Sequence, residues 1–359
     1  MEEVIQKFSN IRIAFIKSSL YQDLWVSEKT TDYVQLFKTS MMRCPSLGFA
    51  KYLNAEFFIV KDTDEYPCNI NKNCLPVQYY DNMKYSKKLK NPTLPFLDET
   101  FHADMSIDSV AYDIDRVDWE KYNIVICINT CIPNRIIEKY SNVFWCYYIG
   151  ENDDYYIHNK VEKYNLFLNQ DVCQSGLPSF SIGMPYSLLG PVTLENLYYD
   201  LNPGCSKPVK KGIFMEINNT TERPVVNIPY EFIQISNSTK QPIYRHEQNI
   251  VSNLNNLVKS KYFVKLLGRK LRGNSILETV SAGTLILANK NLVVFSNLIL
   301  DECHVENFLD VTQRIIYFEN NPEHYNHLVY KQRELLYFNY FKYPLENLNN
   351  KYLEFVKNK

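Results

Sequence analysis

Short apolar runs rich in Ile, Val, Phe and Tyr recur along the chain, separated by longer stretches where apolar and polar residues mix. In the first half they are Ile11–Ile16, Phe57–Val60, Ile124–Ile128, Val143–Tyr148 and Leu166–Leu168; in the second, Gly212–Glu216, Glu231–Ile235, Tyr262–Leu267, Thr284–Ala288 and Arg314–Phe318. Strands alternating with longer mixed segments predict parallel sheets with crossover helices. Pro45-Ser46-Leu47-Gly48 opens a helix leading into Phe57–Val60, and Ile250, Leu254, Leu257 and Val258 line one stripe of another. Pro322 suits the first turn of a long helix, where its missing N–H is not needed. Pro344 ends that helix, and Leu345–Lys359 forms a last amphipathic segment. Between Asp62 and Tyr122 the alternation dissolves into a long insertion or irregular loop. The Pro- and Gly-bearing stretch Gly183–Pro208 reads as a domain linker.

A chain of 359 residues exceeds one ordinary core, so two α/β domains in tandem are expected. With 45% hydrophobic and 22% charged residues it has the balance of a soluble globular protein. No apolar run approaches the roughly 20 residues of a membrane-spanning helix, and the first residues lack the basic start and apolar core of a signal peptide. A cytoplasmic location without a membrane span is therefore expected. The nine cysteines are odd in number and scattered without a CxxC pair, the pattern of reduced thiols. A net charge of -1 gives no general attraction to nucleic acid, so anion binding has to be local.

One junction supplies such a locality. Gly268–Lys290, GRKLRGNSILETVSAGTLILANK, places cations and a glycine directly before a helical run and a strand. Asn274 or Ser275 would cap the helix, and Gly283 stands where a left-handed C-terminal residue is wanted. Ile276, Leu277 and Val280 would pack on the sheet, leaving Ser275, Glu278 and Thr279 on the other side, with Glu278 toward the cleft. Unpaired N–H groups at the helix start, the bare backbone of Gly273 and the charges of Lys265, Arg269, Lys270 and Arg272 suit a diphosphate. A carboxylate one turn into the helix suits two adjacent hydroxyls, as on a ribose. Phosphates plus ribose mean a nucleotide; the competing reading is a solvated basic loop before a core helix. Neither a GKS/GKT P-loop nor GxGxxG is present.

The run YFVKLLGRKLRGNSILETVSAGTLILANK resembles the C-terminal donor-binding domain of GT-B glycosyltransferases of the group 1, family 4-like pattern, in which a strand, a basic loop and a Glu-Ala-x-Ala-x-Gly helix bind the nucleotide sugar. The likeness is clear over Gly212–Phe318 and architectural before it. It implies an α/β GT-B fold of two Rossmann-like domains facing a central cleft. An acceptor-side domain would span residues 1–190 and a donor domain 191–340, with 341–359 crossing back to the first. It further implies that Glu278 binds the donor ribose, that Lys265, Arg269, Arg272, Gly273, Asn274 and Ser275 serve the diphosphate, and that Asn218 to Arg223 border the donor. The implied activity is metal-independent hexosyl or pentosyl transfer from a UDP- or GDP-linked sugar to a glycan or other hydroxyl acceptor, as in glycan biosynthesis, with no cofactor. Lys270 stands where many retaining members carry a second glutamate, eight residues before the first.

Other constellations are weaker. Asp62/Asp64 and Asp113/Asp115 spell DxD but do not end a strand, and solvated loop acids are the reading adopted, with no metal. His324 and His327 read as a surface pair. Beyond Val143–Tyr148, Glu151, Asp153 and Asp154 fall where open α/β sheets bind ligands; a carboxylate there, or His158 or His102, is a candidate base on the acceptor hydroxyl. The alternatives are a viral-type glycosyltransferase acting on nucleic-acid bases, disfavoured by the absence of a basic stripe, and a non-catalytic nucleotide- or glycan-binding module of the same fold.

Overall fold

The structure is a computed structural model that describes residues 1–18, 47–60, 114–128, 132–149, 163–169, 181–218, 227–247, 250–268 and 274–359. The chain divides into two compact units, Met1–Leu188 with Lys342–Lys359, and Leu189–Phe341. Each holds its own parallel sheet with helices, the Rossmann-like α/β architecture expected of a GT-B chain.

In the first unit, helix α1 (Glu2–Gln6) precedes β1 (Ile13–Ser18), α2 (Leu47–Leu53), β2 (Glu56–Val60), β3 (Ile124–Ile128), α3 (Asn134–Lys139), β4 (Phe144–Ile149), β5 (Leu166–Asn169) and β6 (Ser181–Gly183). The strands form one sheet in the order β2-β1-β3-β4-β5-β6. Every residue of β3 is buried, as a central strand covered on both faces requires. Beside it, Trp119 packs edge-on against Phe58 and Trp145, and both indoles keep a partner for their N–H. Trp119 donates to the Ile114 carbonyl (3.2 Å) and Trp145 to that of Tyr140 (3.1 Å).

The second unit runs α4 (Thr193–Leu201), β7 (Ile213–Asn218), α5 (Tyr230–Thr239), β8 (Ile243–Tyr244), α6 (Ile250–Lys259), β9 (Tyr262–Gly268), α7 (Ser275–Ser281), β10 (Leu285–Ala288), α8 (Phe308–Asn320) and α9 (Pro322–Tyr337). Its sheet has the order β10-β9-β7-β8. A π-helical segment, Phe338–Lys342, leads into α10 (Tyr343–Lys357), which belongs to the first unit and packs Tyr352 and Phe355 against Phe144. Pro344 lies in the first turn of α10, so the long helix has already yielded to the π-helical segment when the proline arrives.

Two expectations are corrected. Glu231–Ile235 belongs to helix α5: Phe232 and Ile235 are buried while Glu231, Ile233 and Gln234 are exposed, a spacing of three that a strand does not give. Arg314–Phe318 lies in α8, where Val311, Ile315 and Phe318 are buried at i, i+4 and i+7 and Asn307 caps the start by accepting from the Asp310 N–H (3.0 Å). A short apolar run looks alike in both periods until its flanks are read. The boundary between the two units, Leu188/Leu189, falls within the expected linker Gly183–Pro208, which also contains α4, whose Leu194, Leu197 and Tyr198 are buried. Cys127, Cys146 and Cys303 are buried free thiols and Cys205 is an exposed one. No helix among the described residues is long and apolar enough to cross a membrane.

A Cβ added at Gly48 in α2 would stand 1.3 Å from the carbonyl oxygen of Leu188, which is backbone and cannot rotate away. Gly48→Ala is expected to destabilise the chain by about 3 kcal/mol, read as a lowered midpoint in urea denaturation.

Candidate functional site

Strands β7 and β9 run parallel, with Asn218 in register with Gly268, so both end at one edge of the second sheet. Open α/β sheets take their ligands beyond this carboxyl edge. Gly268 adopts φ +81°, a left-handed turn that releases the chain from β9. Arg269, Lys270, Arg272 and Gly273, which follow, lie outside the described residues. The chain resumes at Asn274, immediately before α7, and the Asn274 Oδ1 is buried with no hydrogen-bond partner among the described residues.

Helix α7 is buried on nearly every side. Ile276, Leu277 and Val280 are enclosed as expected, but so are Ser275 and Thr279, at 2% and 0% exposure, contrary to their assignment to an open face. The reason is the second layer: α7 packs against α4 and α9 as well as β10. The Thr279 hydroxyl is satisfied internally, donating to the Ser275 carbonyl at 2.6 Å. Of the seven residues of α7, Glu278 alone is not buried. Its carboxylate is the one charge on this helix, placed one turn after the basic loop.

The C-terminal end of α7 is anchored by cations. Lys210 Nζ donates to the carbonyls of Val258 (2.7 Å) and Ala282 (2.8 Å) and to Thr284 Oγ1 (3.2 Å), joining the last turns of α6 and α7. Positive charge belongs at helix C-termini, where unpaired carbonyls collect. Burial pulls the pKa of Lys210 down to about 7, and Glu195 opposes that shift. Arg333, from α9, donates to the Val280 carbonyl (3.5 Å) and is paired with Glu195 of α4. Gly283 has φ +73°, as expected, and a Cβ there would lie 2.3 Å from an Arg333 nitrogen. Ser281 completes the grip, accepting from the Leu194 N–H (3.0 Å) and donating to the Gly190 carbonyl (2.8 Å). Glu195 is partly buried, which raises its pKa, but Arg333 together with Lys207 and Lys210 outweighs this and holds the carboxyl below its usual range.

The remaining candidates fall as follows. Lys265 is fully buried in β9 and donates to the Leu267 carbonyl at 2.6 Å, so its ammonium lies beneath the strand end. Asn218 closes β7. Arg223, Glu151, Asp153, Asp154, His158 and His102 lie outside the described residues, as do Asp62, Asp64 and Asp113. Asp115 is engaged by both Arg135 nitrogens, which lower its pKa. His324 accepts or donates at Tyr317 Oη (3.1 Å) on the surface of α9. Among the described residues no group of three or more His, Cys, Asp or Glu is placed to hold a metal ion.

One pair at the same edge escaped the sequence reading. Glu216, 2% exposed in β7, meets His246 Nε2 at 2.6 Å just after β8. The readable signal was a lone carboxylate inside the apolar run Gly212–Glu216, since a buried charge requires a partner.

No protein-family model matches the chain, and no curated protein matches it in sequence. Among solved structures, a mutant of S. aureus TarM in complex with fondaparinux, α-GlcNAc-glycerol and UDP is matched at 13% identity with a TM-score of 0.39, over 64% of this chain and 55% of that one. The pneumococcal O-GlcNAc transferase GtfA in complex with UDP and GlcNAc is matched at 10% identity and 0.39, over 65% and 57%. The sucrose-phosphate synthase of Thermosynechococcus elongatus is matched at 9% identity and 0.42, over 97% of this chain and 100% of that one. The chain thus spans little more than half the length of the first two.

Replacing Glu195 leaves Arg333 without its carboxylate in a partly buried position. Glu195→Gln is expected to cost about 2 kcal/mol at neutral pH, measured by chemical denaturation. Because the folded-state pKa of Glu195 is depressed, its contribution is present in full above the unfolded-state value and is lost as pH falls through the folded one. The difference between wild type and variant should therefore close in acid.

Proposed function

We propose that the protein is a glycosyltransferase of GT-B type, moving a sugar from a nucleotide donor held by the second unit to a hydroxyl acceptor, with a UDP- or GDP-linked hexose or pentose as donor. The observation that carries this reading is the placement of Glu278. On a helix whose other six residues are buried, Glu278 alone is partly exposed, and this helix follows in sequence the cation-bearing Arg269–Gly273 that comes after the carboxyl end of β9. A carboxylate one turn into a helix that follows a cation-bearing stretch in sequence suits ribose hydroxyls beside a diphosphate.

In this reading Glu278 accepts from the ribose, and Arg269 and Arg272 with the backbone of Gly273 to Ser275 take the diphosphate. The cations stabilise the negative charge that builds on the departing nucleoside diphosphate, the electrostatic role a metal ion plays elsewhere. The rigid C-terminal anchoring of α7 by Lys210 and Arg333 supports this, because a carboxylate orients a ribose only if its helix does not shift. Glu151, Asp153 and His158 are the proposed sources of a base for the acceptor hydroxyl. A location in the cytoplasm and a role in glycan biosynthesis accompany the proposal.

The test is thermal stability against UDP-, GDP-, CMP- and dTDP-sugars with and without EDTA. At about a hundredfold excess over Kd, one nucleotide family should add about 2.7 kcal/mol, unaffected by EDTA and absent in Glu278→Ala. Indifference to every nucleotide would overturn the reading and leave the basic junction a solvated loop.

A further inference from the structure

We propose that the amino-terminal rim of the second sheet docks on an anionic lipid bilayer, with Lys211, Lys240 and Lys259 against the headgroups and Val209 entering the boundary beneath them. This rim is the edge opposite the candidate donor site, so the inference stands apart from the donor reading.

The topology of a parallel sheet creates the surface. Crossover helices return the chain to the start of the next strand, so their C-terminal ends gather where the strands begin. Lys240 follows α5 as its C-terminal cap, Lys259 is the last residue of α6, and Lys211 comes just before β7. Backbone contacts hold the three together. The Lys211 N–H donates to the Lys259 carbonyl (2.9 Å), and the Gly212 N–H to the side chain of Gln241 (2.6 Å), the residue after Lys240. In the order β9-β7-β8 these positions span three adjacent strand starts, about 10 Å.

All three lysines are exposed, and none forms an ion pair with another described residue. The other charges at this edge are engaged with one another: Lys261 with Glu319 at 2.8 Å, and Arg333 with Glu195, which Lys207 also approaches at 3.6 Å. Glu323, exposed in the first turn of α9, belongs to the helix that packs on β10, at the other end of the sheet. The β7–β8 half of the rim is therefore cationic.

Val209 adds an apolar point. At 88% exposure it is the most exposed large hydrophobic residue among those described. The next residue, Lys210, is turned inward onto the Val258 and Ala282 carbonyls, so Val209 and Lys211 are presented outward on an anchored backbone. Lys240 has φ +58°, the left-handed conformation that a glycine adopts without strain at a helix end. Helix dipoles suit Lys240 and Lys259 to their positions but account for neither Lys211 nor Val209. A patch of three lysines falls short of the about 6–10 phosphate contacts of a duplex-binding protein. Lysines around an exposed apolar residue match an anionic membrane surface.

The experiment is sedimentation of the full chain with vesicles of phosphatidylcholine alone and of phosphatidylcholine with phosphatidylglycerol. Binding is expected to the anionic vesicles only, weakening as salt rises from about 0.1 to 1 M and the Debye length shrinks from about 10 to 3 Å. Lys211→Gln and Lys259→Gln should each weaken it about fivefold. Lys240→Gly should do the same while melting no lower than wild type, because the left-handed backbone is relaxed. Val209→Trp should bind more tightly, with its emission moving to the blue on anionic vesicles. Nucleotide-dependent stabilisation should be the same in all four variants as in wild type, so the two readings fail separately. Failure to bind anionic vesicles, equal binding to neutral ones, or binding indifferent to the three lysines would overturn the inference. So would tighter lysine-dependent binding to duplex DNA or to polyglutamate than to vesicles, which would assign the patch to a nucleic acid or an acidic protein.

Discussion

The second unit depends on one kind of contact: a lysine or arginine donor seated on the carbonyls at the end of a helix. Lys210, just ahead of β7, reaches the last turns of both α6 and α7, and Arg333 adds a second grip on α7 from α9. Without Lys210 the carbonyls of Val258 and Ala282 would lose this donor, at a cost of about 1–3 kcal/mol each if left buried and unpaired. With Lys210 and Arg333, the C-terminal end of α7 is held in place. Gly283 follows from the same constraint, because its left-handed backbone and missing side chain make room for the Arg333 guanidinium.

This arrangement divides labour within a seven-residue helix. Six residues supply burial, and the seventh, Glu278, keeps contact with solvent. The same logic appears beside it in Glu216 and His246, a buried acid held to a half-exposed ring on a loop fastened by asparagines. Both cases place a charge at the rim of a parallel sheet and fix it from beneath.

Much of the fold was legible in the sequence because buried parallel strands are nearly continuous apolar runs; Ile124–Ile128, Val143–Tyr148 and Tyr262–Leu267 stand close to where the pattern put them. Glu231–Ile235 and Arg314–Phe318 were misread for the same reason, since a brief apolar run carries no period of its own. The two-residue strand β8 lacks enough residues to show any pattern. At the candidate site, Glu278 and Gly283 were readable from local order alone, while the fate of Ser275 and Thr279 was not, because their burial comes from α4 and α9, far away in the chain.

The sequence by itself determined the parallel α/β class, the junction where charge and bare backbone meet, and the helix that carries Glu278, all of which depend on residues within a few positions of one another. Only the tertiary structure decided that Lys265 is sealed beneath its strand, that Lys210 and Arg333 hold the helix ends, and that Glu216 has His246 as its partner. The last two facts join residues 30 or more positions apart. Partners at that separation are chosen by strand order and helix packing, which local composition does not encode.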